Sequence, residues 1–330
     1  MSSKMQSKCF IALLVLLSIF SCFEAQLQVG FYSKTCPSAE TIVTQQVTQA
    51  FGSNPGIAPG LVRMHFHDCF VHGCDASVLI DSTTGNQAEK DSPINNPSLR
   101  GFEVIDAAKA ALEAQCKGIV SCADILAFAA RDSIALVKGP AYSVPSGRKD
   151  GRVSMMSDVG GNIPSPVMNV SALTTLFSLK GLTQDQMVTL SGAHTIGVSH
   201  CNIITTVDDR LYNFNGTNMP DPALNPSYVP QLQAACPKAS TSTSSVVNMD
   251  PVTPAVFDNK YYSNVLVNKG LFTSDWTLRT NAATAAGLNA NANNQAQWFN
   301  KFTAAIVKMG SIPLDAGAVG EIRTNCRVIN

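Results

Sequence analysis

The sequence predicts an all-α fold, mainly helical with minor short β-structure, and three observations support this class. Apolar residues recur at helical spacing in most segments of the chain. Strand-like alternation is scarce and lies around residues 141–144. No motif repeats with a period of roughly 20–50 residues, which excludes a solenoid. The 330 residues are 45% hydrophobic and 14% charged, so the chain can bury the core of one large helical domain.

The first predicted helix follows Pro37, and its apolar residues Ile42, Val43, Val47 and Phe51 recur at spacings near 3.6. Comparable periodicity predicts further helices, in chain order, over residues 102–114, 122–137, 170–179, 183–190, 258–267 and 295–309. Short polar tracts separate some of these segments. We expect the serine and threonine tract at 240–245 and the asparagine-rich stretch at 289–294 to be exposed loops.

Two local signals set the ends of predicted helices near the middle of the chain. Thr183 and Gln186 have the spacing of a capping box, in which each side chain bonds the backbone of the other residue. Gly181 suits the end of the preceding helix, because glycine readily adopts the left-handed conformation found there. One helix therefore ends and the next begins within a few residues.

The first 25 residues have the pattern of a secretory signal peptide. Lys4 and Lys8 precede an apolar run over residues 9–20, which is shorter than the roughly 20 residues that span a bilayer. Cleavage after Ala25 would leave residues 26–330 as a single domain. No later stretch predicts a membrane anchor. Lysine plus arginine and aspartate plus glutamate number 23 each, so we expect neither nucleic acid nor an acidic membrane as a partner.

The cysteine content suits an oxidising compartment. Two of the ten cysteines leave with the signal peptide, and the remaining even number favours disulfides. The eight are Cys36, Cys69, Cys74, Cys116, Cys122, Cys201, Cys236 and Cys326. They allow more than a hundred pairings, which arithmetic alone cannot separate. Asn169 and Asn215 begin glycosylation sequons, which suit exposed loops of a secreted protein.

The most informative segment is LVRMHFHDCFVHGCDAS at residues 61–77. In a helix, Arg63 and His67 share a face because they are four residues apart, whereas His65 and His67 point away from each other. This spacing argues against a zinc chelate formed by the two histidines. A cation beside an imidazole can instead move a proton and stabilise developing negative charge. The alternative is a surface arginine beside a packed histidine.

This segment resembles the distal motif of the secretory plant haem peroxidases, class III, and the resemblance runs through nearly the whole mature chain. The matching motifs occur in the order and close to the spacing of that family. They are FYSKTCP at 31–37, HFHDCFVHGCDAS at 65–77, EKD at 89–91, RGF at 100–102, VSCADILA at 120–127, LSGAHTIG at 190–197, FDNKYY at 257–262 and IRTNCRVIN at 322–330. The resemblance implies a haem peroxidase fold with haem b between distal and proximal helices.

On the distal side, the resemblance implies that His67 takes a proton from hydrogen peroxide and returns it to the departing oxygen. Arg63 would stabilise the charge as the O–O bond breaks to give a ferryl intermediate. Asn95 would hydrogen-bond the far ring nitrogen of His67 and keep the imidazole basic. Phe66 would form a wall of the haem pocket.

On the proximal side, the resemblance implies that His194 is the axial ligand of the haem iron. Asp275 would accept the second N–H of this imidazole and so set the iron potential. Met249 lies where a related intracellular branch of the superfamily carries a redox-active tryptophan. We therefore expect no protein radical at that position.

Two calcium sites are implied in the same way, because calcium takes many oxygen ligands. The first would use Asp68, Val71, Gly73, Asp75 and Ser77, with Glu89 reached through water. The second would use Thr195, Asp250, Thr253, Val256 and Asp258. By spacing alone, the first segment could equally be a polar turn, and it is not an EF-hand.

The family pairing implies the disulfides Cys36–Cys116, Cys69–Cys74, Cys122–Cys326 and Cys201–Cys236. Small phenols would meet an exposed haem edge near Ile163 and Pro164, where a proline carbonyl accepts a phenolic hydrogen bond. The chain departs from the family pattern in two places. Residues 201–210 form a longer segment near the access channel, and Val167 and Met168 replace aromatic residues found in some relatives.

The resemblance implies an extracellular, monomeric enzyme that reduces hydrogen peroxide and oxidises phenolic donors such as monolignols in one-electron steps. The sequence ends at Asn330 without a tail typical of a vacuolar signal. One alternative is a disulfide-rich calcium-binding module that has lost its haem site. Another is a secreted zinc hydrolase using His65, His67 and His72, although the chain lacks an HExxH motif.

Overall fold

The computed structural model describes residues 27–238 and 245–330. The predicted signal peptide and most of the tract at 240–245 lie outside these residues. Up to residue 180 the α-helices are α1 Ala39–Ser53, α2 Ile57–Val71, α3 Phe102–Gln115, α4 Cys122–Leu136, α5 Met156–Val159 and α6 Val170–Leu179. After residue 180 they are α7 Gln184–Ser191, α8 Val229–Ala235, α9 Lys260–Leu266, α10 Thr273–Trp276, α11 Ala282–Asn293 and α12 Gln295–Met309.

Helix α4 lies at the centre of the first half of the fold. Twelve of its fifteen residues are buried, and both α1 and α2 pack along it. Five alanines within the helix allow the neighbouring helices to approach closely. Ser121 caps its first turn by accepting a hydrogen bond from the Asp124 backbone N–H. The helix that carries Arg63 and His67 is thereby held against a rigid, fully packed neighbour.

Three apolar clusters form the core. The first surrounds α1, α3 and α4, and the third surrounds the short helix α8. The second joins Phe70 of α2 to Met187 of α7 and to the aromatic residues Phe257 and Trp298. Burial of these side chains supplies the main stabilisation of the fold. Helix α2 contributes residues to the first and second clusters, so it lies between the two main parts of the core.

The helical expectations are confirmed for every segment named from the sequence, with shifts of one or two residues at some ends. The capping box at Thr183 is present, since Thr183 Oγ1 accepts from the Gln186 N–H and Gln186 Oε1 accepts from the Thr183 N–H. Gly181 has φ +73° and follows the end of α6, as expected. These features depend on short-range hydrogen bonds, which explains why periodicity and capping residues predict them.

Two local expectations are wrong. The stretch 289–294 is not a loop, because residues 289–293 complete α11 and Asn294 caps α12 through its side chain. Residues 141–144 do not form a strand. The two-stranded sheet of the described residues instead pairs β1 Val198–His200 with β2 Val246–Asn248 in antiparallel register. This pairing joins residues far apart in the chain, which local alternation does not reveal.

The described chain closes four disulfides, which are the pairs implied by the resemblance. They are Cys36–Cys116, Cys69–Cys74, Cys122–Cys326 and Cys201–Cys236. The third joins residues 204 positions apart and ties the C-terminal segment to the start of α4. No helix among the described residues has both the length and the apolar character needed to cross a membrane.

We expect the Cys122→Ala/Cys326→Ala variant to lose more stability than the Cys201→Ala/Cys236→Ala variant. The closed segments span 204 and 35 residues, so the chain-entropy difference corresponds to about 1.5 kcal/mol in the free energy of unfolding. Denaturant unfolding of both variants and the parent protein measures this difference. Equal losses would show that strain or residual unfolded structure, rather than loop length, determines the effect.

Candidate active site

Helix α2 places Arg63 and His67 on one face, as their spacing predicts. Arg63 Nε donates to His67 Nε2 over 3.1 Å. The guanidinium is held by two further contacts, with Ser98 Oγ at 2.8 Å and the Ile94 carbonyl at 3.0 Å. No acidic side chain pairs with Arg63 among the described residues. The positive charge therefore remains available to an anion that forms beside His67.

Asn95 fixes the protonation pattern of the His67 ring. The Asn95 side-chain N–H donates to the Glu89 carbonyl over 2.7 Å, which directs Asn95 Oδ1 toward His67 Nδ1, also at 2.7 Å. An amide oxygen can only accept, so the ring proton lies on Nδ1. His67 Nε2 consequently carries the lone pair. This is the arrangement that a general base on the open side of the ring requires.

Burial lowers the pKa values of both basic groups of this site, His67 and Arg63. Burial, reinforced by the charge of Arg63, holds the pKa of His67 well below its usual value, although the Asn95 hydrogen bond opposes this shift. Burial and the neighbouring Arg100 charge lower the pKa of Arg63 to about 10. His67 is therefore neutral and Arg63 is charged at neutral pH. A neutral base next to a cation can accept a proton from a weak acid and stabilise the resulting anion.

The other two histidines of the segment do not converge on His67. His65 is buried, and its Nδ1 lies 3.7 Å from Cys69 Sγ. His72 contacts Asp315 through Nδ1 at 2.7 Å and Asp158 through Nε2 at 3.0 Å. Within residues 27–238 and 245–330, no group of three or more His, Cys, Asp or Glu side chains is arranged to hold a metal. Because His65 and His72 make their contacts away from His67, these three histidines do not form the zinc site that the hydrolase alternative requires.

His194 lies in the 3-10 turn Gly192–Thr195 that continues α7. Its Nδ1 is 2.8 Å from Asp275 Oδ1, and because a carboxylate accepts, the ring proton lies on Nδ1. Nε2 then carries a lone pair suited to a metal. The His194 side chain is 39% exposed, whereas Asp275 is 2% exposed. The imidazole therefore faces open space while its partner is enclosed, which fits an axial ligand.

Asp275 has two structural tasks. Its Oδ1 binds His194, and its Oδ2 accepts the Phe272 backbone N–H over 3.0 Å at the start of α10. Burial would raise the pKa of Asp275, but the electrostatic interaction with His194 and the hydrogen bonds that the carboxylate accepts hold it below the usual value. The carboxylate is thus ionised. Asp208 fixes the same helix start, accepting from the backbone N–H and hydroxyl of Thr273.

The distal helix, the proximal turn and the predicted donor segment border one apolar region. Phe66, Ile163, Met168 and Ala193 all belong to, or pack against, the second apolar cluster. Phe66 lies edge-on to His67, with ring centroids 5.3 Å apart. An apolar region that borders both the helix of His67 and the turn of His194 fits the plane of a haem.

Comparisons with known proteins agree with this arrangement. A family model described as Peroxidase matches residues 43–294. Peroxidase 5 of Vitis vinifera is 59% identical over 317 residues, covering 96% of this chain and 95% of that protein. The chain belongs to the class III plant peroxidase family. Peroxidase 1 of Zea mays is 50% identical over 93% of this chain and 84% of its own length, and Peroxidase 3 of Arabidopsis thaliana is 46% identical over 98% and 99%.

The protein is therefore an oxidoreductase, a haem peroxidase that uses hydrogen peroxide. Members of this family bind haem and calcium. The residues of this peroxidase that the resemblance implies as calcium ligands lie in two oxygen-rich clusters, which can be tested for their fit to the metal.

The first cluster has buried oxygens without partners. Among the described residues, no hydrogen-bond partner reaches either carboxylate oxygen of Asp68 or of Glu89, or the hydroxyl of Ser77. Asp75 joins them, with Oδ1 accepting the Ser77 N–H over 2.9 Å. Burial raises the pKa of Asp68, reinforced by the Asp75 charge, and burial raises the pKa of Asp75 to about 6 and of Glu89 to about 8. A hard cation would satisfy this excess of acceptors.

Two glycines allow the backbone to pack closely around this cluster. Gly73 has φ +88°, and a Cβ at this position would lie 1.9 Å from the Pro313 carbonyl oxygen. A Cβ on Gly151 would lie 1.9 Å from Asp75 Oδ2. Both positions therefore require glycine. Because three acidic side chains are not arranged to hold a metal by themselves, carbonyls such as those of Val71 and Gly73 would have to supply further ligands.

The second cluster surrounds the Thr195 hydroxyl, next to His194. Thr195 Oγ1 lies 3.2 Å from Asp258 Oδ1, 3.3 Å from Asp250 Oδ2 and 3.5 Å from the Val256 carbonyl. Thr253 Oγ1 lies 3.4 Å from the same Asp250 oxygen. One hydroxyl proton cannot serve three acceptors at once. The donor set of hydroxyl, carboxylate and carbonyl oxygens fits calcium.

Sequence reasoning missed several residues that position this site. On the distal side, Ser98 and the Ile94 carbonyl hold the guanidinium of Arg63. On the proximal side, the Tyr261 hydroxyl donates to Asp275. In the second oxygen cluster, the Asn264 side chain donates to Asp250 Oδ1 over 2.8 Å. Tyr261 lies within the motif at 257–262, but a tyrosine in a helix carries no signal for a particular partner.

The longer segment at 201–210 contains a π-helical turn, Ile203–Val207, which accommodates the extra residues.

Calcium removal should destabilise the peroxidase more at pH 8 than at pH 5.5. Without metal, Asp75 and Glu89 have pKa values of about 6 and 8, above their unfolded values, so metal-free stability falls as pH rises through that range. Bound calcium removes this penalty, and at 100 times Kd it adds about 2.7 kcal/mol. Thermal melts with a chelator, and with calcium restored, measure the difference at both pH values.

Two variants on the 3-10 turn Glu89–Asp91 provide the control for this experiment. Glu89→Gln should reduce the effect of pH between 7 and 8, whereas Asp91→Asn should not, because Asp91 is exposed and outside the cluster. The calcium assignment would be contradicted by two results together: fewer than one calcium per chain in freshly purified protein, and an unfolding temperature that the chelator does not change.

Proposed function

We propose that this peroxidase oxidises small phenols, such as monolignols, in one-electron steps, using Arg63, His67 and Asn95 to activate hydrogen peroxide. The observation that carries the proposal is the chain of contacts from Asn95 Oδ1 to His67 Nδ1 at 2.7 Å and from His67 Nε2 to Arg63 Nε at 3.1 Å. This chain leaves one basic lone pair and one unpaired cation next to each other. Peroxide activation needs both.

The distal steps follow from these contacts. Peroxide would replace the Arg63 N–H at His67 Nε2 and transfer its proton to that lone pair. The Nδ1–H bond to Asn95 would stabilise the imidazolium that forms, because an amide oxygen accepts well from a cation. Arg63 would then stabilise negative charge on the distant oxygen, and His67 would return its proton to that oxygen as it leaves as water.

On the proximal side, His194 would bind the iron of haem b through Nε2, with Asp275 as the acceptor of its Nδ1–H. Bound haem supplies the redox chemistry that breaks the O–O bond and later accepts electrons from the donor. The proximal carboxylate would increase electron density at the iron, which favours its oxidised states.

Two calcium ions would fix the two histidine-bearing segments. One would hold Asp68, next to His67, and the other would hold Thr195, next to His194.

Phenolic donors would bind near Ile163 and Pro164. Ile163 is buried and Pro164 is partly exposed, so this segment offers an apolar surface with an accessible edge. The neighbouring Pro166 carbonyl is used internally, since it accepts the Ser274 N–H over 2.8 Å. Val167 is 47% exposed and supplies a small aliphatic face to a bound phenol.

The remaining features belong to a secreted protein. We propose that residues 1–25 are removed, that residues 26–330 form a single extracellular and monomeric domain, and that Asn169 and Asn215 are glycosylated. Both asparagines are exposed. Asn169 uses Oδ1 to cap α6 through the Ala172 N–H, which leaves its nitrogen directed away from the helix for a glycan.

The alternative that the haem site has lapsed is addressed by a Soret band in the purified protein. We expect that band, and we expect His67→Ala to slow the reaction with peroxide by about 10²–10⁴-fold, because general acid–base help is lost. Arg63→Leu should show a smaller loss. Stopped-flow spectroscopy of the haem-replete variants, followed by turnover of monolignols, measures both effects.

His72→Ala is the matched control for the distal variants. His72 ends the same helix but contacts Asp158 and Asp315, so its loss should leave the peroxide rate near that of the parent protein. A His67→Ala variant that reacts with peroxide as fast as His72→Ala would remove His67 from the mechanism.

Asp275→Asn should raise the Fe(III)/Fe(II) potential and slow the reaction with peroxide. Asparagine keeps the shape of the side chain and its bond to the Phe272 N–H, but it removes the charge that polarises His194. Spectroelectrochemical titration measures the potential. An unchanged midpoint potential in a correctly folded, haem-replete variant would show that Asp275 only caps α10 and does not affect the iron.

A further inference from the structure

The carboxylate of Asp275 accepts three hydrogen bonds, and two of them reach the same oxygen. His194 Nδ1 lies 2.8 Å from Oδ1, and the Tyr261 hydroxyl donates to Oδ1 over 2.9 Å. Within the part of the chain that the structure describes, Oδ2 accepts only the Phe272 backbone N–H, at 3.0 Å. The phenol and the imidazole therefore compete for the electron density of a single oxygen.

Tyr261 is held as a permanent donor in this arrangement. Its side chain is 2% exposed, and its ring lies edge-on to His194 with centroids 5.7 Å apart. Burial and the negative charge of Asp275 raise the pKa of Tyr261 well above its usual value. Because an ionised carboxylate oxygen can only accept, the Tyr261 hydroxyl is the donor in this contact. The hydrogen bond to Asp275 cannot reverse, because the ionised carboxylate has no proton to give.

The position of Tyr261 on α9 is fixed independently of Asp275. Helix α9 packs on α11 and on the turn that carries His194. A Cβ on Gly270 would lie 2.8 Å from the Asp275 Cβ, so the backbone beside the carboxylate is closely packed as well. Both the phenol and the carboxylate are enclosed, since Tyr261 and Asp275 are each 2% exposed. The shared oxygen is thus a built feature of the proximal side.

A shared acceptor weakens each of its hydrogen bonds. A donor that withdraws charge from Oδ1 leaves less charge to polarise the N–H of His194. The imidazole then keeps more neutral character and is a weaker electron donor to a metal on Nε2. Removing the phenol hydroxyl should have the opposite effect, provided that the carboxylate stays in place.

We propose that Tyr261 is a positioning residue that limits the electron donation of His194 and so raises the Fe(III)/Fe(II) potential of this peroxidase. The inference rests on the proposed roles of His194 and Asp275 as iron ligand and its acceptor. It adds a second control on the same carboxylate. Asp275 lowers the potential through its charge, and Tyr261 partly offsets that effect through its hydrogen bond.

The neighbouring Tyr262 provides a matched control. It is equally buried and belongs to the same helix, but its hydroxyl donates to the carbonyls of Thr189 at 2.8 Å and Val188 at 3.0 Å. Tyr262→Phe thus removes a buried hydroxyl close to the haem site without touching Asp275. Any general effect of losing a phenol hydroxyl should appear in both variants.

The experiment compares haem-replete Tyr261→Phe, Tyr262→Phe and Asp275→Asn with the parent protein. The midpoint potential and the iron–imidazole stretching frequency of the ferrous protein are measured. We expect Tyr261→Phe to shift the ferric/ferrous equilibrium by about three- to tenfold toward ferric iron, which corresponds to a fall of up to about 59 mV, and to raise the stretching frequency. Asp275→Asn should change both quantities in the opposite direction, and Tyr262→Phe should leave them unchanged.

The sign of the change separates the possible outcomes. An unchanged or higher potential in Tyr261→Phe, with a clear rise in Asp275→Asn, would overturn the inference and leave the proximal assignment intact. A higher potential would show that Tyr261 only holds the carboxylate in place. If neither Tyr261→Phe nor Asp275→Asn alters the potential, the proposed pairing of His194 with Asp275 fails as well. Equal shifts in both tyrosine variants would also overturn the inference.

Discussion

The hydrogen bond between Asn95 and His67 is the contact on which the distal side depends. It fixes the ring proton on Nδ1 and leaves the lone pair on Nε2, beside the guanidinium of Arg63. Asn95 is itself oriented by the backbone carbonyl of Glu89, whose side chain belongs to the first oxygen cluster. The basicity of His67 is thereby linked to a buried group of carboxylates that repel one another, so the geometry of the base depends on how that repulsion is relieved.

On both sides of the site, a buried side-chain oxygen accepts the Nδ1–H of a histidine, but the two acceptors differ in charge. A neutral amide accepts the Nδ1–H of His67, which leaves the imidazole neutral and ready to gain a proton. An ionised carboxylate accepts the Nδ1–H of His194, which makes that imidazole a stronger electron donor. In the proposed mechanism, the choice of acceptor therefore separates a proton carrier from a metal ligand, although the two side chains are chemically identical.

Burial gives these acceptors their effect. Asn95 and Asp275 are each 2% exposed, so water does not compete for their oxygens. The cost of burying Asp275 is offset by three donors, one of which is the Tyr261 hydroxyl. The oxygens of Asp68 and Glu89 have no such donors, which is the clearest structural reason to expect a cation between them.

The amino-acid pattern alone predicted the helical class, most helix positions, the capping box at Thr183 and the common face of Arg63 and His67, because each depends on contacts within a few residues. Its motifs also indicated His194, Asp275 and the disulfide pairs through family resemblance. Three features became known from the folded chain: residues 289–293 are helical, β1 pairs with β2, and Tyr261 shares the oxygen used by His194. These features join residues distant in the chain or depend on packing that overrides local composition, and periodicity carries no record of such contacts.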